Sequence, residues 1–289
     1  MLKLGSSSFC RCFLAFLVVC SLVPTLHGQS SESDLKARLM NKPLYLLGCW
    51  RDDYLNFDSA GKLKDISFPV SFTLSGFELQ SLHLEQDRLV LEGRRIGLEL
   101  KDSQQLRVPL NVGKVNQHKD ESMRIVIATS PSGDYGAALD AVFANGLAEL
   151  VPSLPSYWQT YAAEHFVPAD SSTSLTASTA VKTTSQDGTS PDAKQARPGG
   201  VLKAPKLLHS VEPTFNGAAR GLLYGGAVLI HLWVNTDGTP SHLSIDRPVG
   251  LGLDERALEA VQKYTFKPAT RNDTPVLAEL KIEVNFQIF

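Results

Sequence analysis

Near the end of the chain, residues 278–288 alternate strictly between apolar and polar side chains. An alternation with a period of two is typical of a strand that buries one face and exposes the other. The pattern therefore predicts a terminal strand. Its apolar positions are Leu280, Ile282, Val284, Phe286 and Ile288.

Three further elements are predicted upstream of this strand. Asp237-Gly238 is one of the strongest short-range hairpin signals. Thr214 is a suitable N-cap for a short helix, and a later segment repeats apolar side chains at the three-to-four spacing of an amphipathic helix. The predicted order is helix, hairpin, helix, strand, over residues 214–223, 227–246, 253–264 and 278–289.

A two-residue turn at Asp237-Gly238 would pair Trp233 with His242. The hairpin then presents one apolar face to the core and leaves a semi-exposed patch on the other face, formed by Leu229, His231, Trp233 and His242. Two histidines on neighbouring strands would be half of a zinc site, but no third ligand stands at a suitable spacing. We therefore predict no metal site. The patch is either covered by a partner or by the linker, or it is ordinary surface.

The first half of the chain is rich in short apolar or alternating segments separated by turn residues. They predict strands over residues 68–74, 77–84, 88–92, 96–100, 106–112 and 124–129. Helical patterns follow over residues 135–150 and 157–166. The predicted fold class is α+β, beginning with a β-rich antiparallel N-terminal domain that carries one or two packed helices.

A change of composition divides the chain. Between Pro168 and Pro205 there are twelve serine or threonine residues and no aromatic residue, so this segment has too little apolar surface to offset the entropy of ordering it. We predict an uncharacterised α+β domain over residues 42–166, a disordered linker over 167–205 and a second domain over 206–289.

The N-terminus resembles a secretory signal. Residues 13–23 are uncharged and apolar, but they are too short to span a bilayer, and a small residue, Gly28, ends the segment. We predict a signal peptide over residues 1–28, cleaved before Gln29; the alternative is an uncleaved membrane anchor. Of the four cysteines, only Cys49 lies beyond this segment, which excludes an internal disulfide in the mature chain.

Charge and motifs exclude several function classes. The formal net charge is −2 and the longest basic runs are pairs, so we expect no nucleic-acid partner. Nucleophile-elbow, zinc-protease and P-loop motifs are absent from the sequence. Gly250-Leu251-Gly252 precedes a helix, but Asp254 and Glu255 would repel a phosphate there. We therefore expect neither an enzyme nor a cofactor.

Four stretches in the last eighty residues carry a family resemblance. They are Ala219-Arg220 followed by Gly226, the run GAVLIHLWVNTDG, the segment GLGLDERALEAVQKYTFKPA and the closing VNFQIF. Together they resemble the C-terminal domain of the TonB energy-transducer family, over residues of about 206–289. The resemblance implies two helices packed on a three-stranded antiparallel sheet. The preceding domain resembles no family of known function.

The resemblance also implies a function. An extended peptide of an outer-membrane TonB-dependent transporter would add as a strand to residues 278–289 and so support transmembrane transport. The implied partner-binding residues are Phe215, Arg220, Lys281, Glu283, Asn285, Gln287 and Phe289. The alternative is a periplasmic scaffold, or a homodimer, that binds another envelope protein without energy transduction. Either reading implies the periplasm or cell envelope of a Gram-negative bacterium, or an inner-membrane anchor if the signal segment is retained.

Overall fold

The computed structural model describes residues 30–101, 104–110, 122–167 and 202–288. The predicted signal peptide and most of the predicted linker lie outside these residues. The described chain combines helices with mainly antiparallel sheets, which confirms the α+β fold class.

The first half folds around one large sheet. Its strand order is β2-β6-β4-β3-β1-β7, β5 pairs with β4, and the pairings are antiparallel apart from the parallel pair β2 and β6. The elements are α1 (Glu32–Leu39), β1 (Leu44–Leu46), β2 (Tyr54–Phe57), β3 (Gly76–Leu84), β4 (Arg88–Lys101), β5 (Gln104–Pro109), β6 (Ser122–Ala128), α2 (Gly136–Val142), β7 (Phe143–Asn145), α3 (Leu147–Leu150) and α4 (Ser156–His165).

The structure of this half differs from the elements predicted from the sequence at three places. The strand predicted over 68–74 is instead a short 3-10 helix, Phe72–Leu74, capped by Ser71. The two strands predicted over 88–92 and 96–100 are one strand, β4, because its glycines remain in the ladder. The helix predicted over 135–150 is interrupted by β7, which pairs with β1. Helix α1 was not predicted; it begins at the N-cap Ser31 and buries Leu35 and Leu39.

The second half contains three small sheets and two helices among the residues described. The sheet orders are β11-β10-β15, β12-β9 and β14-β13-β8. The elements are β8 (Leu202–Lys203), β9 (Lys206–His209), α5 (Gly217–Gly221), β10 (Gly226–Val234), β11 (Pro240–Arg247), α6 (Leu253–Val261), β12 (Thr265–Lys267), β13 (Ala269–Arg271), β14 (Thr274–Val276) and β15 (Ala278–Phe286). Strand β8 falls within the last residues of the predicted linker and pairs with β13.

The two halves share one buried apolar cluster. It joins Phe72 and Trp158 of the first half to Ile230 and Leu253 of the second, whereas another cluster lies entirely in the first half. Main-chain hydrogen bonds cross the same contact, including those from Leu100 N to Val249 O (2.8 Å) and from Leu251 N to Leu98 O (2.9 Å). The second half is therefore packed against the first through both apolar and backbone contacts.

No helix within the described ranges is long and apolar enough to cross a membrane.

Candidate functional site

Strand β15 lies at the edge of its sheet. It pairs along its whole length with β10, from Gly226 opposite Phe286 to Val234 opposite Ala278. No strand pairs with its other side among the described residues. Its side chains alternate as expected. The apolar side chains are half-buried or, at Val284 and Phe286, buried, and the polar side chains between them are exposed. The result is a nine-residue edge whose backbone groups face outward at every second residue.

The direction of the backbone identifies the outward residues. A β-carbon added at Gly225, just before β10, would collide with the carbonyl oxygen of Phe286, so this carbonyl points toward β10. Successive residues of a strand direct their N–H and C=O groups to opposite sides. Asn285 therefore directs both backbone groups away from β10. The same holds for Glu279, Lys281 and Glu283.

The charged side chains of β15 form ion pairs across the face of the sheet. Lys281 Nζ lies 2.5 Å from Asp246 Oδ2, and Glu283 Oε2 lies 2.7 Å from Arg247 Nη2. Both partners are on β11, on the far side of β10. Exposed ion pairs of this kind contribute little to stability. They hold the two side chains over the sheet face, however, while none of the described strands pairs with the backbone edge.

The other predicted partner-binding residues have different positions. Phe215 packs edge-to-face on Phe286, with ring centroids 5.3 Å apart, and so supports the end of β15. Arg220 is exposed on α5, and Gln287 is exposed just after β15. Phe289 lies outside the described residues. The sequence did not predict the part that Asp246 and Arg247 play. Their strand, β11, is separated from β15 by β10, and no local pattern relates them to their partners.

The hairpin register predicted from a two-residue turn is wrong. Asn235 N donates to Thr239 O (2.9 Å) and Gly238 N donates to Asn235 O (3.0 Å), so the loop contains three residues. Trp233 consequently pairs with Ser241 instead of His242, and the ladder is irregular between His231 and Trp233.

The predicted patch is only partly assembled. Leu229, His231 and Trp233 are half-buried on the face opposite Val228 and Ile230. His242 has a positive φ of 49° and is exposed, and its ring lies 3.2 Å from the Ser241 hydroxyl. Across the described ranges, no group of three or more histidine, cysteine, aspartate or glutamate residues is arranged to hold a metal ion.

A second feature lies where the halves meet, at the start of α6. Asp254 is fully buried and accepts hydrogen bonds from Val249 N and Gly250 N, both at 2.8 Å. The next residue, Glu255, accepts one from the indole Nε1 of Trp158 at 2.9 Å. Its other carboxyl oxygen, Oε2, is buried without a hydrogen-bond partner among the described residues. The sequence placed these acids at a helix N-terminus but could not show that they lie in an interface.

Burial raises the pKa of both carboxyl groups. For Asp254 the neighbouring Glu255 raises the pKa further, while the hydrogen bonds from Val249 and Gly250 oppose the shift. For Glu255 the hydrogen bond from Trp158 opposes it. Burial also raises the pKa of the nearby Cys49 thiol to about 11. Little of this thiol is ionised at neutral pH, so it is a poor nucleophile there.

The raised pKa of Glu255 predicts a specific dependence of stability on pH. The folded chain holds this proton more tightly than the unfolded chain, so the contribution of Glu255 to the free energy of unfolding is full below about pH 4.3 and falls as the pH rises through the raised value. Glu255→Gln removes this titration. In urea unfolding between about pH 4 and pH 7, we expect the variant to lose less stability than the wild type. Equal losses in the two proteins would contradict the assignment.

Comparisons with known proteins find similarity in the second half of the chain. A family model described as the Gram-negative bacterial TonB protein C-terminal region matches residues 211–288. Protein tonB2 of Pseudomonas aeruginosa is 28% identical over 82 residues, which is 28% of this chain and 30% of that relative. The chain thus spans less than a third of the length of the curated relative that it matches. The match falls on the part of the chain that carries α5, the hairpin, α6 and β15, and it confirms the resemblance of residues 211–288 to the TonB C-terminal domain.

Proposed function

We propose that this chain is a TonB-like envelope protein whose C-terminal domain binds an extended peptide of an outer-membrane TonB-dependent transporter. The family of the domain supports a role in transport. The observation that carries the mechanism is the edge of β15, which has no strand partner among the described residues. An added strand would gain main-chain hydrogen bonds along this edge.

The backbone of β15 suits strand addition. Four residues, Glu279, Lys281, Glu283 and Asn285, each direct one donor and one acceptor away from β10. Each main-chain hydrogen bond contributes about 0.5–1.5 kcal/mol. The charges of the first three discourage unspecific edge pairing. The uncharged Asn285 lies at the end that Phe215 supports, and we expect the peptide to engage this end most closely.

Asn285→Pro tests the mechanism because it deletes one outward N–H. The ladder to β10 does not use this N–H, so we expect the variant to stay folded and to bind the peptide at least about tenfold more weakly, through one lost hydrogen bond and the bulk of the ring. Binding is measured by fluorescence anisotropy with a labelled peptide from the N-terminal segment of a transporter of the same organism.

Asn285→Ala is the matched control, since it removes the side chain and keeps the N–H. It should bind within about twofold of the wild type if the backbone carries the affinity. Circular dichroism checks that both variants are folded. A folded proline variant that binds as tightly as the wild type would rule out strand addition at this end of β15.

The second candidate function is a periplasmic scaffold without energy transduction and without catalysis. The first half packs extensively on the TonB domain. This fixed arrangement of two folded halves favours a scaffold, whose role is to hold domains together. The two functions require different states of the N-terminus. Force transmission from the inner membrane requires a retained anchor, whereas a chain beginning at Gln29 and found in the soluble fraction would favour the scaffold.

A further inference from the structure

A cleft of about 950 Å³ lies between the two halves. The first half contributes the loop around Cys49, the segment containing Val70 and Tyr157 near the start of α4. The second half contributes Phe215 and one side of α6, including Glu255. This volume is within the range of about 300–1,000 Å³ that is typical of small-molecule sites.

One polar atom in the cleft has no hydrogen-bond partner in the part of the chain that the structure describes. Glu255 lines it, and the Oε2 atom of that carboxyl group is buried without a hydrogen bond from any described residue. Buried polar atoms are nearly always hydrogen-bonded, so an unsatisfied one calls for an explanation. Burial raises the pKa of this carboxyl group, and the hydrogen bond that Trp158 donates to its other oxygen, Oε1, lowers it.

Two of the three arginines that line the cleft are paired with carboxylates, and the third, Arg51, is exposed at its edge. Arg95 pairs with Asp53 at 2.8 Å and is also bonded to main-chain carbonyl oxygens, including that of Asp52. Arg256 pairs with Glu259 at 2.8 Å. The carboxyl group of Glu255 has no such counter-ion among the described residues.

Aromatic rings complete the chemistry of the cleft. Phe68, Phe72, Tyr157 and Phe215 all line it, and Phe68 is largely exposed. Aromatic faces attract ammonium groups, and a buried carboxylate forms strong charge-assisted hydrogen bonds with them. An anionic ligand offers this carboxyl oxygen no favourable contact and a neutral donor forms a weaker hydrogen bond with it, whereas an organic ammonium ion with an apolar body suits both features.

We propose that the cleft between the halves binds a small organic amine, whose ammonium group donates to Glu255 Oε2 and whose apolar body lies among the aromatic side chains. The first half and the TonB domain contribute to the site together, so the ligand bridges them. The site is separate from the edge of β15 and does not require that a peptide binds there.

The test uses three probes of similar size that differ in charge: tryptamine, the uncharged tryptophol and the anionic indole-3-propionate. They are titrated into the ¹⁵N-labelled full chain, and the indole N–H resonance of Trp158, which is bonded to Glu255, is followed by NMR. Trp158→Phe identifies this resonance. Tryptamine is expected to shift it saturably and to bind at least about tenfold more tightly than the other two probes, as a charge-assisted hydrogen bond would require.

Glu255→Gln should weaken tryptamine binding at least about tenfold. Glu259→Gln changes an exposed carboxylate that lines the same cleft and should leave binding within about twofold. The proposal is overturned if tryptamine gives no saturable shift, as it would if a segment of the chain already filled the cleft. It is equally overturned if tryptophol binds as tightly as tryptamine. The comparison of the three probes does not use Glu255→Gln, so it remains decisive even if that variant fails to fold.

Discussion

Trp158→Ala is expected to lower the free energy of unfolding by about 3–5 kcal/mol, the range for large aromatic residues in a core. Trp158 is fully buried in the cluster that joins the halves. Its ring packs edge-to-face on Phe72 with centroids 4.8 Å apart. Its indole N–H is also a hydrogen-bond donor to Glu255, so the substitution removes packing from both halves and leaves the carboxyl group without this donor.

Equilibrium unfolding in urea, followed by circular dichroism, measures this effect. Trp233→Ala is the matched control, because Trp233 is only half-buried on the outer face of the hairpin and should cost about 1 kcal/mol. If the two substitutions cost the same, Trp158 would not be the centre of the contact between the halves.

Gly250→Ala is expected to cost at least about 2 kcal/mol and to loosen the contact between the halves. Gly250 has a φ of 90°, a conformation that side chains rarely adopt. An added β-carbon would also collide with the main-chain oxygen of Leu98, which belongs to the other half. The main chain cannot move away without breaking the hydrogen bond from Leu251 N to that same oxygen.

Hydrogen exchange at the amides of Leu100 and Leu251 measures this loosening, because both amides donate across the contact. We expect both to exchange faster in Gly250→Ala. Gly221→Ala is the control: Gly221 ends α5, an added β-carbon there meets open space, and the variant should be neutral or slightly stabilised. Unchanged exchange in Gly250→Ala would mean that the halves do not depend on this close approach.

Strong periodic patterns made parts of the fold predictable. The alternation that became β15 and the apolar stripe that became α6 are local properties, and each was predicted within a few residues. The hairpin was predicted, but its register was not. That register depends on whether the loop closes at Asn235 and Thr239, which the turn residues alone do not decide.

The other parts of the fold depend on contacts between residues that are far apart in the chain, and the sequence did not predict them. The segment around Phe143 has a helical pattern, yet it forms β7 because β1 offers a partner about a hundred residues earlier in the chain. The bond between Trp158 and Glu255 joins residues that are 97 positions apart, and neither has a sequence signal for the other. The contact between the halves was therefore not predictable from the sequence, whereas the identity of the TonB domain was.

The most direct test of strand addition is hydrogen exchange along β15, measured residue by residue with and without the transporter peptide. We expect binding to slow exchange at four outward amides, those of Glu279, Lys281, Glu283 and Asn285. The intervening amides, which face β10, should already be protected and should change little. If the peptide binds and the outward amides of β15 exchange as fast as before, the peptide does not add to this edge and the proposed mechanism is wrong.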